Sequence, residues 1–346
     1  MDNARRLTPV EGASAWTAAD LAADRSWVHW LDDGDVRELE AALEYALRGG
    51  MADAPFAREE FPLPNLGAKL AGAMDDVENG RGIALIKGVP VERYERPALR
   101  TLYWGLSTYV GEAISQNSRG EMIASVTDRG NDHGNMNVRG YKTRAALAPH
   151  VDSCDMTSLL CLTTAPNGGD SLVSSSMSIY NTLMAEFPEY LDTVYQGFHH
   201  DLRGEGITGR LDELTIHAFP IFSYRDGVLS CAFNSRIMRS AREKAGPPLT
   251  AQEDQVIDLI IELAERPNLQ HRMRLEPGDI QIINNFTILH ARDAYTDQDD
   301  GSGGRELLRM WYRFHRPRTI VPGYGDRYNT GDRGGVAMGS GAQYNF

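Results

Sequence analysis

The chain has 346 residues, 42% of them hydrophobic, and a formal net charge of −13 at pH 7. That length and apolar content support a sizeable core and exclude collagenous, coiled-coil and disordered classes. The acidic balance argues against nucleic acid and anionic membrane surfaces as partners, but a pocket for a small molecule can still carry local positive charge.

The opening segment MDNARRLTPVEG lacks the apolar run of a secretion signal. No stretch approaches the roughly 18 apolar residues of a membrane span. Three cysteines, Cys154, Cys161 and Cys231, form no CxxC pair. They read as buried small residues in a reducing compartment, so a cytoplasmic protein is expected.

Residues 1–79 read as helical decoration. Within them, residues 34–49 carry Val36, Leu39, Leu43, Tyr45 and Leu47 and stop at Gly49-Gly50. Residues 81–90 (RGIALIKGVP) are a short apolar run bounded by Gly and Pro, the pattern of a buried strand. Residues 97–110 return to a helical pattern with Pro in the first turn.

From residue 121 strand signals dominate: EMIASV, TSLLCLTT, DSLVSS, PIFSY, GVLSCAF, DIQIIN and LLRMWYRF. Such a series separated by Gly, Asp and Asn predicts an antiparallel sandwich or jelly roll. A helical insert interrupts it over about 178–266. Its first helix, 178–195, meets Pro188. Its last, 251–265, follows a capping box in Thr250-Ala251-Gln252-Glu253. The fold class expected is mostly β with flanking helices, organised as a single catalytic domain over 1–346 with its core at 80–316. The glycine-rich tail 317–346 reads either as a mobile terminus or as a lid.

His150 and Asp152 stand two apart before an apolar strand. On a strand, residues i and i+2 share a face, so an imidazole and a carboxylate would enter one pocket. With nine histidines and 48 acidic residues, such a pair arises by chance alone, and His199-His200-Asp201 is a second one. The second leads into a polar loop, and the first into a strand, so the first is preferred. His290, after GDIQIINNFTIL, is a candidate third ligand. Two histidines and a carboxylate on one octahedral face are the ligand set of iron(II) oxygenases.

Arg305 and Arg309, in RELLRMWYR, are four apart and share a strand face. An arginine inside a β-core needs an anionic partner. A dicarboxylate cosubstrate would serve through a guanidinium fork; a protein carboxylate is the alternative for each.

Taken together, HxD, GGxS, GDIQIINNFTILHARDAY and RELLRMWYR resemble the TauD/TfdA branch of iron(II)/2-oxoglutarate-dependent dioxygenases, with clavaminate-synthase-like proteins as the nearest flavour. The likeness spans roughly residues 80–316. It implies a double-stranded β-helix with flanking helices, and Fe(II), 2-oxoglutarate and O2 as cofactor and cosubstrates. By the resemblance, His150, Asp152 and His290 are the facial triad, and Arg305 holds the distal carboxylate of 2-oxoglutarate. Ser171 stands at a hydroxyl position, commonly Thr, that also touches it. Arg309 matches a position that contacts substrate or the cosubstrate's other end. The carboxylate of Asp152 argues against halogenation.

Asn117, Arg119, Arg139, Tyr141 and Lys142 are candidate substrate contacts, pointing with Arg309 to a small anionic or zwitterionic metabolite. The reaction expected is oxidation of a C–H bond, with hydroxylation foremost. A cupin-like metal enzyme without 2-oxoglutarate and a non-catalytic binding barrel are the rival readings.

Overall fold

The structure is a computed structural model that describes residues 5–52, 55–128, 143–297, 304–325 and 335–346. It begins with α1 (Ala18–Ala23), β1 (Val28–Trp30), α2 (Asp33–Arg48), α3 (Leu66–Asn79), β2 (Ile83–Lys87) and α4 (Arg96–Ser107). Strands β3 (Glu112–Ile114), β4 (Ile123–Val126), β5 (Leu147–His150), β6 (Met156–Thr163), β7 (Asn167–Gly168) and β8 (Ser171–Ser175) follow.

The insert holds α5 (Ser176–Glu186), α6 (Leu191–Val194), the hairpin β9 (Phe222–Arg225) and β10 (Val228–Cys231), α7 (Ser235–Ala245) and α8 (Ala251–Glu265). The chain returns through β11 (Gln270–Met273), β12 (Ile280–Asn284), β13 (Ile288–Arg292), β14 (Tyr295–Thr296) and β15 (Glu306–Arg313).

Two sheets organise the molecule. One runs β1-β2-β12-β6-β15-β3, with β4 also on β15; the other runs β11-β8-β13-β5. Strand alternation sorts their side chains. Leu308, Met310 and Tyr312 of β15 join Met156 and Leu160 of β6 and the helices α2 to α4 in one core. Leu307, Cys161 and Ile283 point the other way and meet Val173, Met273 and Ile288 of the second sheet. The second sheet's outer face, through Leu289, packs with α5 and α8. The order of layers is therefore helices, sheet, sheet, insert.

Mixed helices and sheets replace the expected mostly-β composition. Helices α1 and α3 fall within the N-terminal region read as helical and α7 within the helical insert, although the sequence reading delimited none of the three individually. In α7, SRIMRSAREKA, the buried apolar residues are Ile237, Met238 and Ala241, set among polar residues of which Ser235 and Ser240 are buried as well, too narrow an apolar stripe to stand out. Thr250 does close a capping box on α8, and the 178–195 segment does break at Phe187 before Pro188. In α2 the stripe is Leu39, Ala42, Leu43 and Ala46. Tyr45 and Leu47 are exposed, at 54% and 41%, because alanine fills the helical positions i+3 and i+7 from Leu39.

Several described tail residues are packed, although Met338 and Tyr344 are exposed. Tyr324 is buried against Phe219 and Phe286. Phe346 stacks on Trp104 at 5.2 Å, and Asn345 pairs with Glu121. Among the described residues no helix is long and apolar enough to cross a membrane.

Candidate metal centre and its cavity

Strand β5 pairs with β13 so that His150 lies directly opposite His290. Opposed residues share a face, and the two rings sit 4.2 Å apart. Asp152 follows two residues on, its approach fixed by Val151 N–H donating to Phe233 O at 2.8 Å and its own N–H donating to Asn285 Oδ1 at 3.0 Å. One ligand atom from each of His150, Asp152 and His290 lies within 4.8 Å of the others. Among the described residues no other group of three such side chains does so.

The protonation states suit a cation. A carbonyl can only accept, so His150 Nδ1 donates to Ala148 O at 2.9 Å and Nε2 keeps its lone pair. Burial lowers the His150 imidazole. Burial, with His150 beside it, pushes His290 down to about 3. Both rings are then neutral at physiological pH, as metal ligands must be. Burial alone would raise Asp152, but Arg309, both histidines and Thr157 outweigh it and hold the carboxyl well below its usual range. Its Oδ2 accepts from Thr157 Oγ1 and Trp311 Nε1, both at 2.9 Å, with Arg309 Nη1 at 3.6 Å.

These groups open into a cavity of ≈ 550 Å³ between the sheets. Strand β15 supplies Arg305, Leu307 and Arg309 to it, every second residue, as the alternation demands. Arg305 is 6% exposed, and its Nη2 donates to Gly169 O at 3.2 Å. Its Nη1 is buried without a hydrogen-bond partner, and its guanidinium has no carboxylate partner among the described residues. Gly169 makes the approach feasible: its φ is +76°, and a Cβ there would lie 2.9 Å from Arg305 Nε. Ser171 also lines the cavity and donates to Gln281 Oε1 at 3.0 Å. Arg309 differs from Arg305. It pairs with Asp152, and its Nε donates to Gln116 Oε1 at 2.8 Å.

The other sequence candidates separate. Asn117 donates to Glu121, and Arg119 is an exposed partner of the same Glu121. Neither reaches the cavity lining, because both belong to a polar turn that the tail covers at Asn345. Arg139, Tyr141 and Lys142 lie outside the described residues. His199 is held by Thr215 O at 2.9 Å and His200 packs on Phe219, away from the centre.

Sequence reasoning passed over Arg292, Arg203 and Arg236, all in the lining. Arg292 had a signal. It stands two residues past His290, on the same face, by the rule that pairs His150 with Asp152. Buried beside Arg305, its guanidinium falls to about 10, low for an arginine but still charged at neutral pH. Its Nη2 donates to Thr143 O and Ala145 O, which ties β13 to the approach to β5. Tyr295 lies between the two cations, its ring centre 4.8 Å from Arg292 and 5.3 Å from Arg305. Arg203 and Arg236 come from the insert and carry no such mark.

A cavity that offers two neutral imidazoles and a carboxylate to one cation, with a cationic wall facing them, belongs with the non-haem iron oxygenases that consume 2-oxoglutarate. Residues 46–311 match the taurine catabolism dioxygenase TauD, TfdA family, and the chain belongs to that family. It is 35% identical to FR-33289 synthase of Streptomyces rubellomurinus over 90% of this chain and 92% of that one. Its fold is similar to that of asparagine oxygenase solved with Fe(II), 2S,3S-3-hydroxyasparagine and succinate (TM-score 0.66, 15% identity, 83% of this chain and 93% of that one). It is also similar to the non-haem iron oxygenase OrfP solved with Fe, succinate and (3S)-hydroxy-L-Arg (TM-score 0.62, 14% identity, 90% and 99%). The protein is a non-haem iron, 2-oxoglutarate-dependent oxygenase acting on a small molecule.

Proposed function

We propose that His150, Asp152 and His290 hold Fe(II), and that Arg305 with Ser171 receives 2-oxoglutarate. The observation that carries this is the convergence of three ligand atoms within 4.8 Å in a cavity whose wall contains the buried Arg305 cation. A buried guanidinium is costly without an anion, and the distal carboxylate of 2-oxoglutarate supplies one through a forked contact.

Iron(II) with 2-oxoglutarate and O2 supplies the oxidising equivalent that removes hydrogen from a substrate carbon, with succinate and CO2 released. The chain's own residues bind, orient and exclude water. Thr157, Trp311 and Arg309 fix the Asp152 carboxylate. Leu159, Leu275 and Leu307 give the cavity dry walls. Arg309, bridging Asp152 and the cavity, is poised to meet an anionic substrate group. Hydroxylation of a small anionic or zwitterionic metabolite is the reading these features favour.

In this reading the two sheets are the halves of a distorted double-stranded β-helix, and 1–346 acts as one catalytic unit. Three buried, free cysteines suit a reducing cytoplasm.

The test is an anaerobic titration of metal-free protein with Fe(II) and then 2-oxoglutarate. A visible charge-transfer band is expected, and it should vanish in His290→Ala and weaken in Arg305→Gln. A band that survives His290→Ala would refute the ligand assignment.

A further inference from the structure

Residues 335–346 lie beyond the stretch that matches the family, 46–311, yet they are fastened along their length. At the near end, Val336 N–H donates to Ser115 O at 3.1 Å, and Ser115 Oγ donates to Val336 O at 2.8 Å. Gly335 allows this approach, since a Cβ there would lie 2.5 Å from Ser115 O. Further on, Gly339 N–H donates to Ser118 O at 2.8 Å. At the far end, Asn345 N–H donates to Gly120 O at 3.1 Å, and its carbonyl accepts from Met122 N–H at 2.8 Å. Phe346 lies nearly parallel to Trp104 beside it. Apart from that last contact, the fastenings all fall on the segment 115–122 between β3 and β4.

Two routes lead from these contacts to the metal centre. The first runs through Gln116, which is 1% exposed. Its Nε2 donates to Met122 O and to Arg309 O, both at 2.8 Å, and its Oε1 accepts from Arg309 Nε. Arg309 in turn faces Asp152 Oδ2 at 3.6 Å. The second runs through Val336, which is 3% exposed and packs in a small buried cluster with Ile114, Cys154 and Trp311. Trp311 is the indole that donates to Asp152 Oδ2. Of the three groups that fix the carboxylate, two are therefore backed by the tail or by the segment it fastens. Side chains packed at crystal-like density hold their neighbours in place, and a void forfeits those contacts outright.

We propose that residues 335–346 form a strap that positions the metal site, with Val336 as a positioning residue behind Trp311 and the backbone pairings keeping Gln116 against Arg309. The strap restricts Asp152 to one orientation, so a chain without it keeps all three ligands and holds a dication less tightly. A mobile terminus would leave the ligands indifferent to its loss. A lid would act at the cavity, whereas Val336 is not part of the cavity lining and acts through Trp311. This rests on the reading of His150, Asp152 and His290 as ligands of Fe(II), and deepens it by naming what holds them from outside the matched stretch.

The test measures Fe(II) affinity anaerobically, against a coloured chelator, in the full chain, in a chain that ends after residue 334, and in Val336→Ala and Val336→Ile. Amide hydrogen exchange of the metal-free proteins over residues 150–157 and 307–313, read by mass spectrometry, gives a second reading that needs no ion. Removing 335–346 should weaken Fe(II) by about 10- to 100-fold and speed exchange in both stretches. Val336→Ala should act in the same direction by less, and Val336→Ile, which keeps the contact, should lose less than Val336→Ala. Thr250→Ala, which loosens α8 instead, should keep its Fe(II) affinity, and so separates positioning from a general loss of stability. Where the shortened chain does not fold, Val336→Ala decides. Unchanged Fe(II) affinity in Val336→Ala, or an equal loss of affinity in Thr250→Ala, would overturn the strap. A wild-type protein that binds no Fe(II) would instead overturn the ligand assignment. In that event exchange over 150–157 still judges the strap: faster in Val336→Ala supports it, and unchanged overturns it.

Discussion

The indole N–H of Trp311 donates to Asp152 Oδ2 at 2.9 Å, so a residue of β15 in one sheet holds the carboxylate that accompanies the two histidines of the other. The contact couples the two halves of the site. Trp311→Phe keeps the ring and removes the donor. Loss of such a supporting hydrogen bond costs about 10- to 100-fold in metal affinity. A competition titration for Fe(II) measures it, and an unchanged affinity would mean that Thr157 and Arg309 suffice.

Metal binding is tied to stability. Asp152 and Arg309 are buried together with both histidines, and a bound dication adds free energy only to the folded state. Saturation at 100 times the dissociation constant contributes about 2.7 kcal/mol. Chelation should therefore lower the melting temperature of wild type. It should lower that of Asp152→Ala by less, because the variant loses the anionic member of the proposed ligand set.

Arg305→Gln tests the proposed cosubstrate clamp. Removing one member of a buried, hydrogen-bonded charge pair costs about 2–5 kcal/mol. The KM for 2-oxoglutarate should rise by at least about 30-fold, with a smaller effect on kcat at saturation. Steady-state succinate formation gives both constants. A loss confined to kcat would remove Arg305 from the binding role.

Gly169→Ala probes the same clamp from the other side. The substitution adds a Cβ at φ +76° within 2.9 Å of Arg305 Nε. The backbone conformation alone costs about 1–2 kcal/mol, and the displaced guanidinium should raise the KM for 2-oxoglutarate. If thermal melting and KM both match wild type, the close approach carries no weight.

Thr250→Ala removes the cap of α8, whose hydroxyl accepts the Glu253 N–H and whose backbone N–H meets the Glu253 carboxylate. About 1 kcal/mol of stability should be lost, with the kinetic constants retained. Urea unfolding provides the number.

The strands that carry the site were legible because their chemistry obeys a period of two. His150 with Asp152, and Arg305 with Arg309, each share a face in the sequence and in the structure. His290 was found from its place after the strand GDIQIIN and from the two arginines that follow it, and the family pattern agreed. The α8 cap was equally plain in Thr250 and Glu253. The insert was not legible in the same way. Arg203 and Arg236 acquire their position from Asp201, Ser240 and Lys244, contacts between segments far apart in the chain that leave no local periodicity. Asn117 and Arg119 misled for the complementary reason: a polar turn rich in Asn and Arg looks the same whether it faces a cavity or, as here, a neighbouring Glu121.

Strand β15 divides its residues between two duties, since Leu308, Met310 and Tyr312 fill one core while Arg305, Leu307 and Arg309 line the cavity. Deleting one residue there would exchange the duties, driving guanidinium groups into hydrocarbon and methylenes into the reaction chamber. Diversification toward new substrates therefore cannot proceed by lengthening or shortening this strand. It is free to act on the segment from Asn234 to Glu243, which reaches the chamber without being part of either sheet, and an engineer seeking altered selectivity would randomise that segment first.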